Sequence, residues 1–130
     1  MQYLGVIVAA LGAYAFGAVW YIAVRKQWME AAGVEAGPDG RPAVGGKGAY
    51  FVALISVILV AGMMRHAFNM SSITEIDKGL VSGLGLGAFI ATPWIATNYA
   101  FAGRSGKLSV IDGLYAIIGC GIIGLVLTLF

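Results

Sequence analysis

The stretch SVIDGLYAIIGCGIIGLVLTLF, Ser109 to Phe130, carries a single charge, Asp112, three residues from its start. At ~1.5 Å of rise per residue, a helix of this length crosses the ~30 Å hydrocarbon core of a bilayer. Three further stretches read the same way: about residues 3–24, 49–70 and 75–102, with the fourth over 109–130. The chain is therefore expected to be an all-α integral membrane protein, a single membrane domain over residues 1–130 with four transmembrane helices in a compact bundle.

Composition agrees. Hydrophobic residues make up 60% of the chain and charged residues 11%, against ~25% charged in a soluble domain. The net charge of +2 is small and dispersed, which argues against nucleic acid as a partner. One cysteine, Cys120, allows no intrachain disulfide and no cysteine metal cage, and mid-span it reads as a small packing residue. Ala13-Tyr14-Ala15 resembles a signal-peptidase tripeptide, but no Lys or Arg precedes its apolar run, and the run continues to Val24. It is expected to stay on the chain as the first membrane helix.

The first connection, Arg25 to Gly48, is the only sizeable one. It is helix-compatible from Lys26 to Ala32 and then loop-like through Gly37-Pro38-Asp39-Gly40 and Gly45-Gly46. Trp20, Tyr21 and Trp28 stand where an interfacial aromatic belt belongs. Thr74-x-x-Asp77, or alternatively Ser72-x-x-Glu75, fits a capping box before the third helix, and Ser109-x-x-Asp112 fits one before the fourth. Two helices separate the first and third connections, so these lie on one side of the membrane. They carry Arg25, Lys26, Arg41, Lys47, Arg104 and Lys107, against Lys78 and a snorkelling Arg65 on the other side. The positive-inside rule then puts both termini outside a bacterial inner membrane.

Helix three carries Gly79, Gly83, Gly87 and Ala91 at four-residue spacing, an extended small-residue stripe suited to close helix contact. Helix one has Gly5, Ala9, Ala13 and Gly17, and helix four has Ala116, Cys120 and Gly124. Helix two has only Ala61-Gly62, so it is the span expected to face lipid most. Pro93 frees the carbonyl of Phe89, and Thr92 is positioned to help satisfy it.

Gly83-Leu84-Gly85-Leu86-Gly87 lies inside an apolar helix and lacks the strand and the Lys-Ser/Thr of a phosphate loop. No catalytic set, metal-ligand cluster or cofactor motif is apparent. Two polar groupings remain. At the mouth on the long-loop side are Asn98, Tyr99, Arg104, Asp112 and Tyr115. Here Asp112 reads as the N3 residue of its capping box, and the competing reading is binding or proton handling. At the opposite face are Arg65, His66, Glu75 and Asp77, with Lys78, arranged to suit the helix dipoles and to pair across a short loop. A single histidine beside an arginine at an interface favours a structural role over tetrapyrrole ligation.

The segment Thr97-Asn98-Tyr99-Ala100-Phe101-Ala102-Gly103-Arg104-Ser105, then Lys107-Leu108 and Ile111-Asp112-Gly113-x-Tyr115, resembles the bacterial membrane family called domain of unknown function 1761. Gly17-x-x-Trp20-Tyr21, Trp28-Met29 with Gly33, and His66 fit the same pattern. The resemblance spans most of the chain and implies four membrane helices. It implies no activity. The functional expectation is a non-catalytic structural or accessory subunit in the lipid bilayer, associating with itself or with other membrane protein subunits. The alternative is a small transporter or channel, an oligomer lining a path past Asn98 and Asp112.

Overall fold

The computed structural model describes residues 2–130, and the chain is all-helical. Helices α1 (Gln2–Ala23) and α2 (Arg25–Ala32) are almost continuous, joined at Val24, and a loop then leads to α3 (Gly46–Met70). The third span is α4 (Ile76–Leu86), a π-helical turn (Gly87–Ala91) and α5 (Thr92–Phe101), and the fourth is α6 (Gly106–Leu127). Four of these segments are long and apolar enough to cross a membrane: Gln2–Ala23, Gly46–Met70, Ile76–Phe101 and Gly106–Leu127.

Helix α6 is the axis of the bundle. It packs most extensively on α4 and next on α1, and α3 in turn packs on α1. The third span meets α6 through its glycines. A Cβ at Gly79 would collide with the carbonyl of Gly124, one at Gly83 with that of Cys120, and one at Gly87 would stand 2.6 Å from that of Ala116. The pairs step four residues up one helix and four down the other, so the two small-residue stripes lie in antiparallel register. Between lipid-solvated helices such backbone approach supplies the packing that water would otherwise drive. The stripe of α1 is also buried, at Gly5, Ala9, Ala13 and Gly17.

Helix α3 is not the most lipid-facing span. It buries Val57, Ala61, Met64 and Phe68, one helical stripe, in the apolar core with Ala9, Ala10, Ala13, Ile123 and Leu127. The least buried span is the third. A glycine stripe makes a deep but narrow contact, and Val81, Phe89, Ile90 and Trp94 remain outside it.

Several helix ends differ from the sequence expectation. The fourth span begins at Gly106, with Ser105 as N-cap accepting from the Leu108 amide at 3.3 Å. Asp112 is therefore well inside the helix and is not an N3 cap. Glu75 is the residue preceding α4 and makes no side-chain cap, so neither Thr74-x-x-Asp77 nor Ser72-x-x-Glu75 forms a box. Glu75 instead accepts from Lys78 at 2.5 Å. At Pro93 the helix answers the missing donor by widening to a π turn, in which the Thr92 amide reaches the Gly87 carbonyl. The Thr92 hydroxyl goes to that same Gly87 carbonyl at 2.7 Å and to that of Gly113 at 3.3 Å, and not to Phe89.

Candidate functional site

The end of the bundle that carries the long connection is built on two helix terminations of one kind. Helix α2 ends with Gly33 in the left-handed region at φ 69°, the Val34 amide bonding back to Met29 and that of Gly33 to Glu30. Helix α5 ends with Gly103 at φ 70°, the Arg104 amide bonding to Tyr99 and that of Gly103 to Ala100. Both are Schellman closures, which need a residue without a Cβ penalty at that turn. The two ends are tied together. The Arg104 guanidinium donates to the Ala32 carbonyl at 2.8 Å and the Ser105 hydroxyl to that of Ala31 at 3.1 Å. A cation on the open C-terminal carbonyls of α2 satisfies orphan acceptors and the helix dipole together. The first and third connections thus share one end of the molecule.

Beneath this clasp lies Asp112, the one buried polar or charged residue among those described. It sits about 9 Å along α6 from Gly106, at ~1.5 Å per residue. The Tyr21 hydroxyl, from the last turn of α1, donates to Oδ1 at 2.5 Å, and the Tyr99 hydroxyl, from the last turns of α5, donates to Oδ2 at 2.5 Å. Each carboxylate oxygen therefore has its own phenol, and three spans meet at one side chain. No cation pairs with Asp112 among the described residues. The neighbouring Ile111 carbonyl takes a bond from the Trp20 indole at 3.1 Å.

An aromatic shell closes the site. Tyr115 meets Tyr21 edge to face at 5.3 Å and stacks on Phe16 at 6.3 Å, while Tyr21 meets Trp28 edge to face at 6.3 Å. Such pairs add to the area they bury. Tyr115 reaches α1 because Gly17 has no side chain: a Cβ there would stand 2.7 Å from the ring. Gly113 likewise admits Thr92, whose methyl would lie 2.8 Å from an added Cβ.

Of the residues grouped from sequence at this end, Tyr99, Asp112 and Tyr115 come together. Asn98 is exposed, and Arg104 serves the clasp above. Tyr21 and Trp20 read as belt aromatics in the sequence, and the structure turns them inward as donors. Their signal was the Gly17-x-x-Trp20-Tyr21 pattern: its glycine, tryptophan and tyrosine each contact the Ile111–Tyr115 segment.

The grouping at the opposite end does not assemble as expected. No ion pair crosses the Ser71–Glu75 loop among the described residues. Arg65 turns inward and donates to the Leu127 carbonyl at 2.7 Å, while His66 and Asp77 are exposed. No three His, Cys, Asp or Glu side chains gather anywhere among the described residues.

No match was found among curated proteins or among solved structures. A family model described as "Protein of unknown function (DUF1761)" matches residues 4–128, which is nearly the whole chain. The residues that set up the Asp112 site all lie inside that match, and the chain belongs to this family.

Proposed function

We propose that this chain is a non-catalytic structural or accessory component of a bacterial inner membrane, with both termini outside, acting by association with itself or with a larger membrane complex. The observation that carries this reading is the state of Asp112. Both of its oxygens are engaged by phenols from the flanking spans, and the interior beyond it is apolar, from Ala13 through Ala10, Ala61 and Ile123 to Leu127. A carboxylate held in this way fastens three spans, and among the described residues the core cluster between it and Arg65 at the far end is apolar. A chain of this kind acts through its outward surfaces.

A second reading, a proton or cation transporter working as an oligomer, rests on the same residue, because an ionisable group inside a span is costly and calls for a reason. One experiment separates the two. The tagged protein, extracted in mild detergent, should migrate as a defined assembly larger than one chain, and Asp112→Asn should keep that assembly. Proteoliposomes containing it should show no proton or cation flux above empty vesicles. Flux that disappears in Asp112→Asn, with the protein at normal abundance, would replace the accessory reading with the transporter.

A further inference from the structure

At the end of the bundle opposite Asp112, a groove of about 250 Å³ opens between α1 and α3. Its polar lining comes from Arg65, His66 and Asn69 of α3 and Gln2 of α1, and its apolar floor includes Val6 and Gly62. No carboxylate lines it, and neither Arg65 nor His66 has an acidic partner among the described residues. Arg65 is half-buried. One Nη donates to the Leu127 carbonyl, and Nε is buried without an acceptor among the described residues. The guanidinium has five N–H donors, and a planar cation of this kind suits a phosphate. Asn69 and Gln2 bond to each other across the rim, Nδ2 to Oε1 at 3.3 Å.

Depth and shape add to the charge. Arg65 lies about 8 Å before the end of α3 at ~1.5 Å per residue, near the level where hydrocarbon gives way to headgroups. One turn deeper is Gly62, and a Cβ there would meet nothing within 4 Å. The missing side chain thus leaves open space beside the apolar part of the groove, below Arg65.

We propose that this groove is a binding site for one phospholipid, its phosphodiester held by Arg65 and His66 and an acyl chain lying over Gly62 and Val6. The chemistry recognised is the phosphate, and the apolar surface of Val6 and Gly62 beside it favours a phosphate that carries a chain. This site is independent of the role assigned to Asp112.

The test is thermal unfolding of delipidated protein in detergent with one of three additives. Phosphatidylglycerol supplies phosphate and chains, diacylglycerol the same chains alone, and inorganic phosphate the anion alone. Phosphatidylglycerol should raise the melting temperature by roughly 5 °C or more when well above its dissociation constant, and the other two should have little effect. The shift should fall to less than half in Gly62→Leu, which fills the open space where the fold leaves room, and in His66→Gln, an exposed position. Arg65→Gln also removes the bond to Leu127, so its lower starting temperature is expected and only the lipid-induced shift is compared. An equal shift from diacylglycerol would remove the phosphate from the proposal. An equal shift from inorganic phosphate would overturn the lipid. An undiminished shift in both Gly62→Leu and His66→Gln would place the lipid elsewhere and overturn the site.

Discussion

Asp112 illustrates how a residue's neighbours in space override its neighbours in sequence. Ser109-x-x-Asp112 has the form of a capping box, yet Ser105 takes the cap and the carboxylate ends up between two phenols from other spans. The energetic consequence differs from that of a cap. Polar contacts between membrane helices average ~0.6 kcal/mol and reach ~1–2 kcal/mol in favourable cases. A buried donor left without its acceptor costs ~1–3 kcal/mol. Asp112→Asn keeps one acceptor oxygen and the shape, so a loss of at most ~2 kcal/mol is expected. Asp112→Leu strands both phenols and should cost clearly more. In a double-mutant cycle of Asp112→Leu with Tyr99→Phe, followed by unfolding in detergent, the two changes should couple by ~0.5–2 kcal/mol. Additive effects would mean that the Tyr99–Asp112 bond contributes nothing to stability.

At the scale of elements, the helix-three stripe gives a sharper contrast, because Gly85, inside it in sequence, is also glycine but faces elsewhere. Gly83 and Gly87 sit against the backbone of α6, whereas Gly85, between them, has nothing within 4 Å of an added Cβ. Gly83→Ala and Gly87→Ala should each overpack the contact and cost ~1–3 kcal/mol. Gly85→Ala should be neutral or stabilising by up to ~1 kcal/mol through helix propensity. Melting temperatures of the three variants in one detergent check this, and equal effects at all three would show that the stripe is not the contact. The four-residue spacing made this surface legible in the sequence, since backbone approach demands small residues at that period. The π turn was not legible. Pro93 announces a break in the hydrogen-bond ladder but not which carbonyls will find partners, and Thr92 chose those of Gly87 and Gly113. The Gly17-x-x-Trp20-Tyr21 pattern marked Tyr21 but did not reveal its partner. A tyrosine at a span's end looks the same whether its hydroxyl faces headgroups or a carboxylate ninety-one positions away.

For the molecule as a whole, the spans were legible because a bilayer imposes a length and a hydropathy on each, but their neighbours were not. Hydropathy does not say that α6 forms the axis or that α3 rests on α1. That arrangement depends on which narrow faces fit, and small residues occur on more than one of them. What the sequence and the structure share is the pairing of ends. The first and third connections meet, with Arg104 and Ser105 on the last carbonyls of α2, so their basic residues act on one membrane face. That face holds Arg25, Lys26, Arg41, Lys47, Arg104 and Lys107, and the other holds Lys78 and Arg65. Arg65 is half-buried with one Nη on the Leu127 carbonyl, which leaves Lys78, itself paired with Glu75, as the one fully exposed Lys or Arg of that end among the described residues. The bias toward the long connection is thus stronger than the raw count, and on the positive-inside rule it supports the proposed orientation, with that connection in the cytoplasm. A cysteine at Asp39, an exposed loop position, introduced in a Cys120→Ala background, should resist a membrane-impermeant maleimide on intact cells and react once the cells are opened. A cysteine at Ser72, in the loop at the other end, should react with intact cells. Ready labelling at position 39 with protection at position 72 would invert the orientation and, with it, the leaflet that faces the Arg65 groove.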